Sequence, residues 1–139
     1  MSTRGIVAVG TPAHWEGTYN HFDSYPESLG EEIKREAAKR GLEELARTVR
    51  DNPQGFSNFP SDPYDKSEPS MRVKSSDTTT DTDWLFWEYV YIINPKEGKV
   101  WWGKSTYKRE GEGPHDFKAG PPKTWHLLVK PSARSIAKE

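Results

Sequence analysis

The chain has 139 residues, of which 32% are apolar and 12% aromatic, and a formal net charge of −1. This length suits one domain over residues 1–139, with a core built from few, large side chains. The absence of cysteine excludes disulfides, zinc–thiolate sites and a cysteine nucleophile. Because neither an apolar run of about 18 residues nor a signal-peptide pattern is found, we expect a cytoplasmic protein without a membrane partner.

Charge is distributed unevenly along the chain. From Lys96 onward there are ten Lys or Arg and five Asp or Glu, whereas the first 95 residues contain ten and sixteen. A basic C-terminal third can indicate a polyanionic partner. The basic residues form no tight cluster, however, so the pattern favours a solvated, lysine-rich surface.

The first elements are predicted to form a β-hairpin. Gly5–Val9 is a short run rich in β-branched residues, which is typical of a buried strand. After a turn at Gly10–Pro12, Trp15–Tyr19 alternates with the period of two expected of a half-buried strand.

Two helices are predicted next. Ser24 and Ser28 each begin a Ser-x-x-Glu capping box and Pro26 suits a first helical turn, so the first helix should begin at one of these serines. Gly41 is expected to end it. A second amphipathic segment covers Leu42–Arg50. The predicted core-facing positions are Leu29, Ile33, Ala37, Leu42, Leu45, Ala46 and Val49.

Three segments have the composition of irregular structure. Residues 51–83 are rich in Pro, Gly, Ser, Thr and Asp and are predicted as an irregular loop. Residues 107–122 are predicted as a Gly- and Pro-rich connection. Residues 132–139 are expected to form a polar tail.

The remaining apolar segments are predicted as strands. Trp84–Ile93 is the most apolar window and should form a central strand. Asn94–Gly98 reads as a hairpin loop leading to a partner strand over Lys99–Trp102. Trp125–Lys130 is a last strand. Together these elements predict an α+β fold, an antiparallel sheet of about five strands with two helices packed on one face.

Two stretches resemble a known family. Residues 3–5 read Thr-Arg-Gly, and residues 21–26 read His-Phe-Asp-Ser-Tyr-Pro. This pattern is similar to a family of small, functionally uncharacterised proteins of phages and bacteria. They share the Thr-Arg-Gly opening and a His-(Trp or Phe)-Asp-(Gly or Ser)-Tyr-Pro segment. Residues 87–94, with the strand ending at Trp101 and Trp102, resemble their second half. The resemblance implies a phage or bacterial origin, hence a bacterial cytoplasm and a host–virus role, and assigns no reaction.

The junction between the second strand and the first helix is the strongest candidate site. Here Arg4, Tyr19, His21, Asp23 and Tyr25 could line a concave surface. Aromatic rings there can stack on a base or a partner side chain, and Arg4 can pair with an anionic group. The structural alternative is that His21 and Asp23 pair with each other or cap the helix while the aromatics belong to the core.

Catalysis is the less favoured alternative. If Met1 is removed, the amine of Ser2 could act as the base for its own hydroxyl, as in N-terminal-nucleophile amidohydrolases. A second route to a small hydrolase is an acid/base pair of His21 and Asp23, since residues i and i+2 of a strand share a face. We favour a binding module without catalysis and without a cofactor.

A metal site is not predicted. Its ligands would come from the four histidines and one carboxylate, but their spacing is not diagnostic. We expect His14 to be solvated in a turn and His126 to face outward. The residues considered are His14, His21, Asp23, His115 and His126.

Single-stranded nucleic acid is a less favoured partner than a protein or a small nucleotide-like ligand. Aromatic and basic residues alternate along the strand from Lys99, which can favour base stacking. Trp101 and Trp102 must point to opposite faces, so one should be exposed, and Trp102 is our candidate partner-binding residue. The oligomeric state is left open. The residues considered for nucleic acid are Lys99, Trp101, Trp102, Lys104, Tyr107, Lys108 and Arg109.

Overall fold

The computed structural model describes residues 4–20, 24–51, 72–77, 87–109, 111 and 117–130. These residues form strands and helices whose order in the chain is that of an α+β protein. The elements are β1 (Gly5–Thr11), β2 (His14–Asn20), a π-helical turn (Pro26–Gly30), α1 (Glu31–Arg40), α2 (Leu42–Asp51), β3 (Arg72–Lys74), a 3-10 turn (Ser75–Asp77), β4 (Tyr89–Asn94), β5 (Lys99–Lys104), β6 (Thr106–Arg109), β7 (Phe117–Gly120) and β8 (His126–Val129). Among the described helices, none is long and apolar enough to cross a bilayer.

The main sheet has six strands in the order β3-β2-β1-β4-β5-β8. Every neighbouring pair is antiparallel except β1 and β4, which run parallel. The sheet is therefore mixed and larger than the antiparallel sheet of about five strands predicted from sequence. Two features explain the difference. The long connection through both helices returns β4 in the direction of β1, and Arg72–Lys74, inside the predicted irregular loop 51–83, forms the additional edge strand β3.

Both faces of the sheet are buried at its centre. On the face we call the helix face, side chains from α1 and α2, including Ile33, Leu45 and Val49, pack on the sheet. On the opposite face, called the far face, Trp15 and Trp87 join a second cluster. This double burial explains why the central strands are almost continuously apolar. The helix face receives Val7, Tyr91, Ile93 and Val100, whereas the far face receives Ile6, Ala8, Val90 and Ile92.

The helices end as predicted but begin differently. Gly41 follows α1 with a φ of 88° and ends it, and Pro26 lies in the first turn of the π-helical segment. The predicted capping boxes are wrong, because neither the turn nor α1 has a side-chain cap. Ser24 is fully buried, and its hydroxyl accepts a 2.9 Å hydrogen bond from Asn20 Nδ2 instead of capping a helix.

Both predicted hairpins are confirmed. β1 pairs with β2 through the turn at residues 12–13, and β4 pairs with β5. In the second turn Gly98 has a φ of 66°, a conformation that glycine adopts without steric cost. The predicted connection at 107–122 also contains regular structure, since β6 and β7 pair antiparallel and Ala119 reaches the far-face cluster.

Candidate functional site

Four aromatic rings form a continuous row across the helix face. Tyr25 lies 5.9 Å from Tyr89 between ring centroids, and Tyr89 lies 6.2 Å from Trp102. Trp102 in turn stacks on His126 at 4.5 Å, with their planes 29° apart. We call these four residues the aromatic row. Their spacings fall within the range of favourable ring pairs.

Strand register places the rings side by side. Tyr91 pairs with Trp102, which also pairs with His126 on the next strand. Tyr89 is two residues from Tyr91 and therefore lies on the same face, diagonal to Trp102. Lys104 pairs with Tyr89, and its ammonium group lies 5.9 Å from the centroid of that ring. A cation thus stands at the middle of the row.

A buried hydrogen bond positions the first ring. The hydroxyl of Tyr91 donates a 2.6 Å bond to the carbonyl oxygen of Ser24, the residue immediately before Tyr25. Ser24 is further held by Asn20 at the end of β2. The segment leading into the π-helical turn is therefore fixed on the sheet, and Tyr25 is directed to Tyr89.

The row is anchored in the core and open at its ends. Tyr89 is only 8% exposed, whereas Tyr25 is 41% exposed and His126 is also exposed. The inner rings consequently hold the arrangement while the outer ones are available to solvent. An exposed aromatic ring on a rigid support loses little conformational freedom when a ligand stacks on it.

Burial and nearby negative charges favour the neutral form of the Tyr89 phenol, at the centre of the row. Burial raises the pKa of Tyr89, and the nearby negative charges of Glu88 and Glu27 raise it further. At neutral pH the Tyr89 hydroxyl is therefore protonated and able to donate a hydrogen bond. Together with Lys104, this side of the sheet offers flat apolar surface, a phenolic donor and a cation.

The structure divides the predicted binding residues between the two faces. Tyr25 and Trp102 meet through Tyr89 on the helix face, whereas Tyr19 packs against the far-face cluster. Burial raises the pKa of Tyr19, and the charge of Arg4 partly offsets this rise, so Arg4 lies near Tyr19. Tyr19 and Tyr25 therefore lie on different faces of the sheet. These two residues do not line one concave surface, as the sequence had led us to expect.

Most of the residues considered for catalysis or metal binding lie outside the described part of the chain. Ser2, His21 and Asp23 lie outside the described residues, so the hydrolase alternatives and the predicted binding roles of His21 and Asp23 stay predictions. His115 lies outside them too. His14 and His126 are both exposed, as predicted, although His14 is the first residue of β2 and not part of a turn. Within the described ranges, no group of three His, Asp or Glu side chains could hold a metal ion.

The residues considered for nucleic acid are also divided. The ammonium of Lys99 lies 5.8 Å from the Trp101 ring, which packs with the far-face cluster. Trp102 and Lys104 belong to the helix face. The prediction that the adjacent tryptophans face opposite ways is confirmed, but the expectation that one is exposed is wrong, because both are half-buried. The side chains of Tyr107, Lys108 and Arg109 lie outside the described part of the structure.

Sequence reasoning missed the role of Tyr89 and undervalued His126. From sequence, Tyr89 is only one residue of the central strand, and His126 is considered as a metal ligand and expected to face outward. The apolar window alone does not say which neighbours a ring will meet. The sequence signal for the position of Tyr89 was the length of the β4–β5 hairpin, because its turn fixes the register that pairs Tyr89 with Lys104. The pairing of β8 with β5 had no comparable local signal.

Comparison of the chain with protein families, with curated proteins and with solved structures finds no match.

Proposed function

We propose that this chain is a non-catalytic binding module whose aromatic row recognises a small nucleotide-like ligand. The observation that supports the proposal is the row itself, with four adjacent rings, exposed at both ends, and a lysine at its centre. Ligand sites of this kind combine flat apolar surface with a few polar groups that set orientation.

Each part of a nucleotide has a counterpart in the row. Trp102 occupies one face of the His126 ring, so a base can stack on its other face, and base–aromatic stacking is worth roughly 1–3 kcal/mol per base. The Lys104 ammonium provides a charge for a phosphate. The protonated Tyr89 hydroxyl can donate to a ligand oxygen or ring nitrogen. The carboxylates of Glu27 and Glu88 disfavour a ligand with many negative charges, so a monophosphate fits better than a triphosphate.

The experiment is a titration of the full chain with nucleoside monophosphates and the corresponding nucleosides, followed by calorimetry and thermal shift. A ligand that binds only the folded state raises the melting temperature. We expect a monophosphate to bind more tightly than its nucleoside. Replacing Lys104 with Met should remove this difference while leaving nucleoside binding in place.

The strand offers matched controls on its other face. Trp102→Phe should weaken binding, whereas Trp101→Phe, on the adjacent residue facing the far side, should not. Lys99→Met is the corresponding control for Lys104→Met, because Lys99 is associated with Trp101. The proposal fails if no nucleoside or monophosphate binds at about 1 mM, near −4 kcal/mol, or if both tryptophan variants behave alike.

The biological setting we propose is phage–host conflict in a bacterial cytoplasm, on the basis of the family resemblance alone, which is an analogy. Deleting the gene from its phage or bacterial genome should alter the outcome of infection. Unchanged plaque formation on several hosts would argue against this setting without bearing on ligand binding.

A further inference from the structure

The two edges of the main sheet are built differently. β3 at one edge has only three residues, and both of its outward-exposed positions are charged, Arg72 and Lys74. Arg72 also donates a 2.8 Å hydrogen bond to the carbonyl of Val49, which ties this edge to α2. Short length and charge are the devices by which natural sheets discourage further pairing.

At the other edge β8 is also short, with four residues, but it lacks the charged residues of β3. Its residues are His-Leu-Leu-Val, with neither a formal charge nor a proline, and in the described part of the chain it pairs with β5 alone. Leu127 is 41% exposed, and His126 is exposed beside it. The unpaired side of such a strand presents backbone donors and acceptors to an added strand.

Lysines flank the apolar centre of this edge. Lys130 follows Val129, whose partner on β5 is Val100, and Lys99 precedes Val100. At the other end Lys123 lies three residues before β8, and Lys104 lies two residues beyond Trp102, the partner of His126. Residues 99–109 and 117–130 contain no Asp or Glu. Because Lys99 is paired with Glu97 at 3.9 Å, the charge at that end comes from Lys130. The edge is therefore apolar in the middle, with an exposed lysine towards each end.

We propose that β8 is a docking edge for an extended segment of a partner protein that has an apolar centre and acidic residues towards both ends. The segment adds a strand beside β8. Its backbone pairs with the side of residues 126–129 that no described strand occupies, and one apolar side chain covers Leu127. Its acidic residues meet Lys123 and Lys130, which are both exposed. The inference does not rest on the proposed ligand site, because it uses the backbone and the outer lysines of the edge, although the added strand would run beside His126, the outer ring of the row.

The probe is a synthetic peptide of about nine residues, long enough at about 3.3 Å per residue to reach both lysines. It has Glu at both ends and alternating Val and Thr between them, and a matched peptide has Lys at both ends. Amide hydrogen exchange of the full chain is measured with each. We expect the acidic peptide to slow exchange in β8 and the basic peptide to have no effect.

Two sets of variants separate strand addition from simple charge attraction. The double variant Lys123→Glu, Lys130→Glu should weaken the acidic peptide at least about tenfold. Lys34→Glu, Lys39→Glu on α1 changes the net charge equally and should leave affinity unchanged. Two further peptides are methylated on alternate backbone nitrogens, one on the odd and one on the even positions. At least one of them must lose binding, because its methyl groups remove the N–H donors of the added strand.

Other outcomes overturn the proposal. Binding of both methylated peptides as tight as that of the unmethylated peptide, or protection of amides outside β8, would exclude strand addition at this edge. Light scattering that shows a dimer with β8 already protected would assign the edge to a second copy of the chain. An oligothymidylate that protects the same amides as well as the peptide does would identify a general polyanion surface instead. Nucleotide titration of the double variant should be unchanged, so the two proposals fail separately.

Discussion

The Tyr91 hydroxyl donates a buried 2.6 Å hydrogen bond to the Ser24 carbonyl, joining residues that are 67 positions apart in the chain. Tyr91 lies at the centre of the helix-face core and is fully buried. The bond therefore connects the middle of the sheet to the segment that leads into the helices. It also sets the position of Tyr25, the exposed end of the aromatic row.

Replacing Tyr91 with Phe should destabilise the fold by about 1–3 kcal/mol. The ring is kept, so the loss comes from leaving the buried Ser24 carbonyl without its donor. Urea unfolding measures the change in the free energy of unfolding. The same variant should weaken ligand binding at the row, because Tyr25 loses its fixed position. Unchanged stability would mean that water satisfies the carbonyl equally well.

Stability should fall as the pH rises above about 10. Burial raises the pKa of Tyr91 above its ordinary value of 10.0, with smaller contributions from Tyr89 and Glu27. A raised pKa means that the folded state holds the proton more tightly than the unfolded state, so this contribution is complete below pH 10 and is lost at higher pH. The expected slope is about 1.4 kcal/mol per pH unit for one such group.

The variant Tyr91→Phe provides the control for this pH dependence. It removes the titrating hydroxyl, so its unfolding free energy should decline less steeply between about pH 10 and 11.5 than that of the wild type. Unfolding curves at a series of pH values test this. Parallel pH profiles would show that other groups account for the alkaline loss of stability.

Gly17 should tolerate no side chain. A Cβ at this position would lie 2.5 Å from the Cα of Ala8 and closer still to the Val7 carbonyl oxygen, both backbone atoms of β1. Gly17→Ala should therefore cost about 3 kcal/mol through forced separation of the hairpin strands. Gly30→Ala is the control, since its φ is −59° and an added Cβ would meet no atom closer than 3.4 Å; we expect a change of less than about 1 kcal/mol. Equal effects in denaturant unfolding would contradict this account.

Asn94 should be more important to the β4–β5 hairpin than its neighbours in the turn. Its Nδ2 donates to the Gly10 carbonyl at 3.0 Å, and its Oδ1 accepts from the Glu97 N–H at 3.0 Å. Asn94→Ala should cost about 1–3 kcal/mol, because both groups lose a partly buried partner. The exposed Lys96→Ala in the same turn should change stability by less than about 0.5 kcal/mol. Thermal unfolding of the two variants makes the comparison.

Local sequence patterns determined the helices and the two hairpins. The apolar positions at helical spacing from Leu29 to Val49 do face the core, and Gly41 and Gly98 have the positive φ angles expected of them. These features depend on residues close together in the chain, where periodicity and turn chemistry act directly. For the same reason the opposite orientations of Trp101 and Trp102 could be predicted.

Tertiary structure decided which strands are neighbours and which rings meet. The parallel pairing of β1 with β4 and the addition of β3 join segments far apart in sequence, and no local periodicity encodes such pairings. The folded chain places Tyr25 beside Tyr89 on the helix face and Tyr19 on the far face, although they are only six positions apart. It also replaces the predicted Ser24 cap, because the Ser24 hydroxyl is buried and accepts a hydrogen bond from Asn20 instead of from a helical N–H. The aromatic row thus exists only in the folded chain, where strand register brings Tyr89, Trp102 and His126 together.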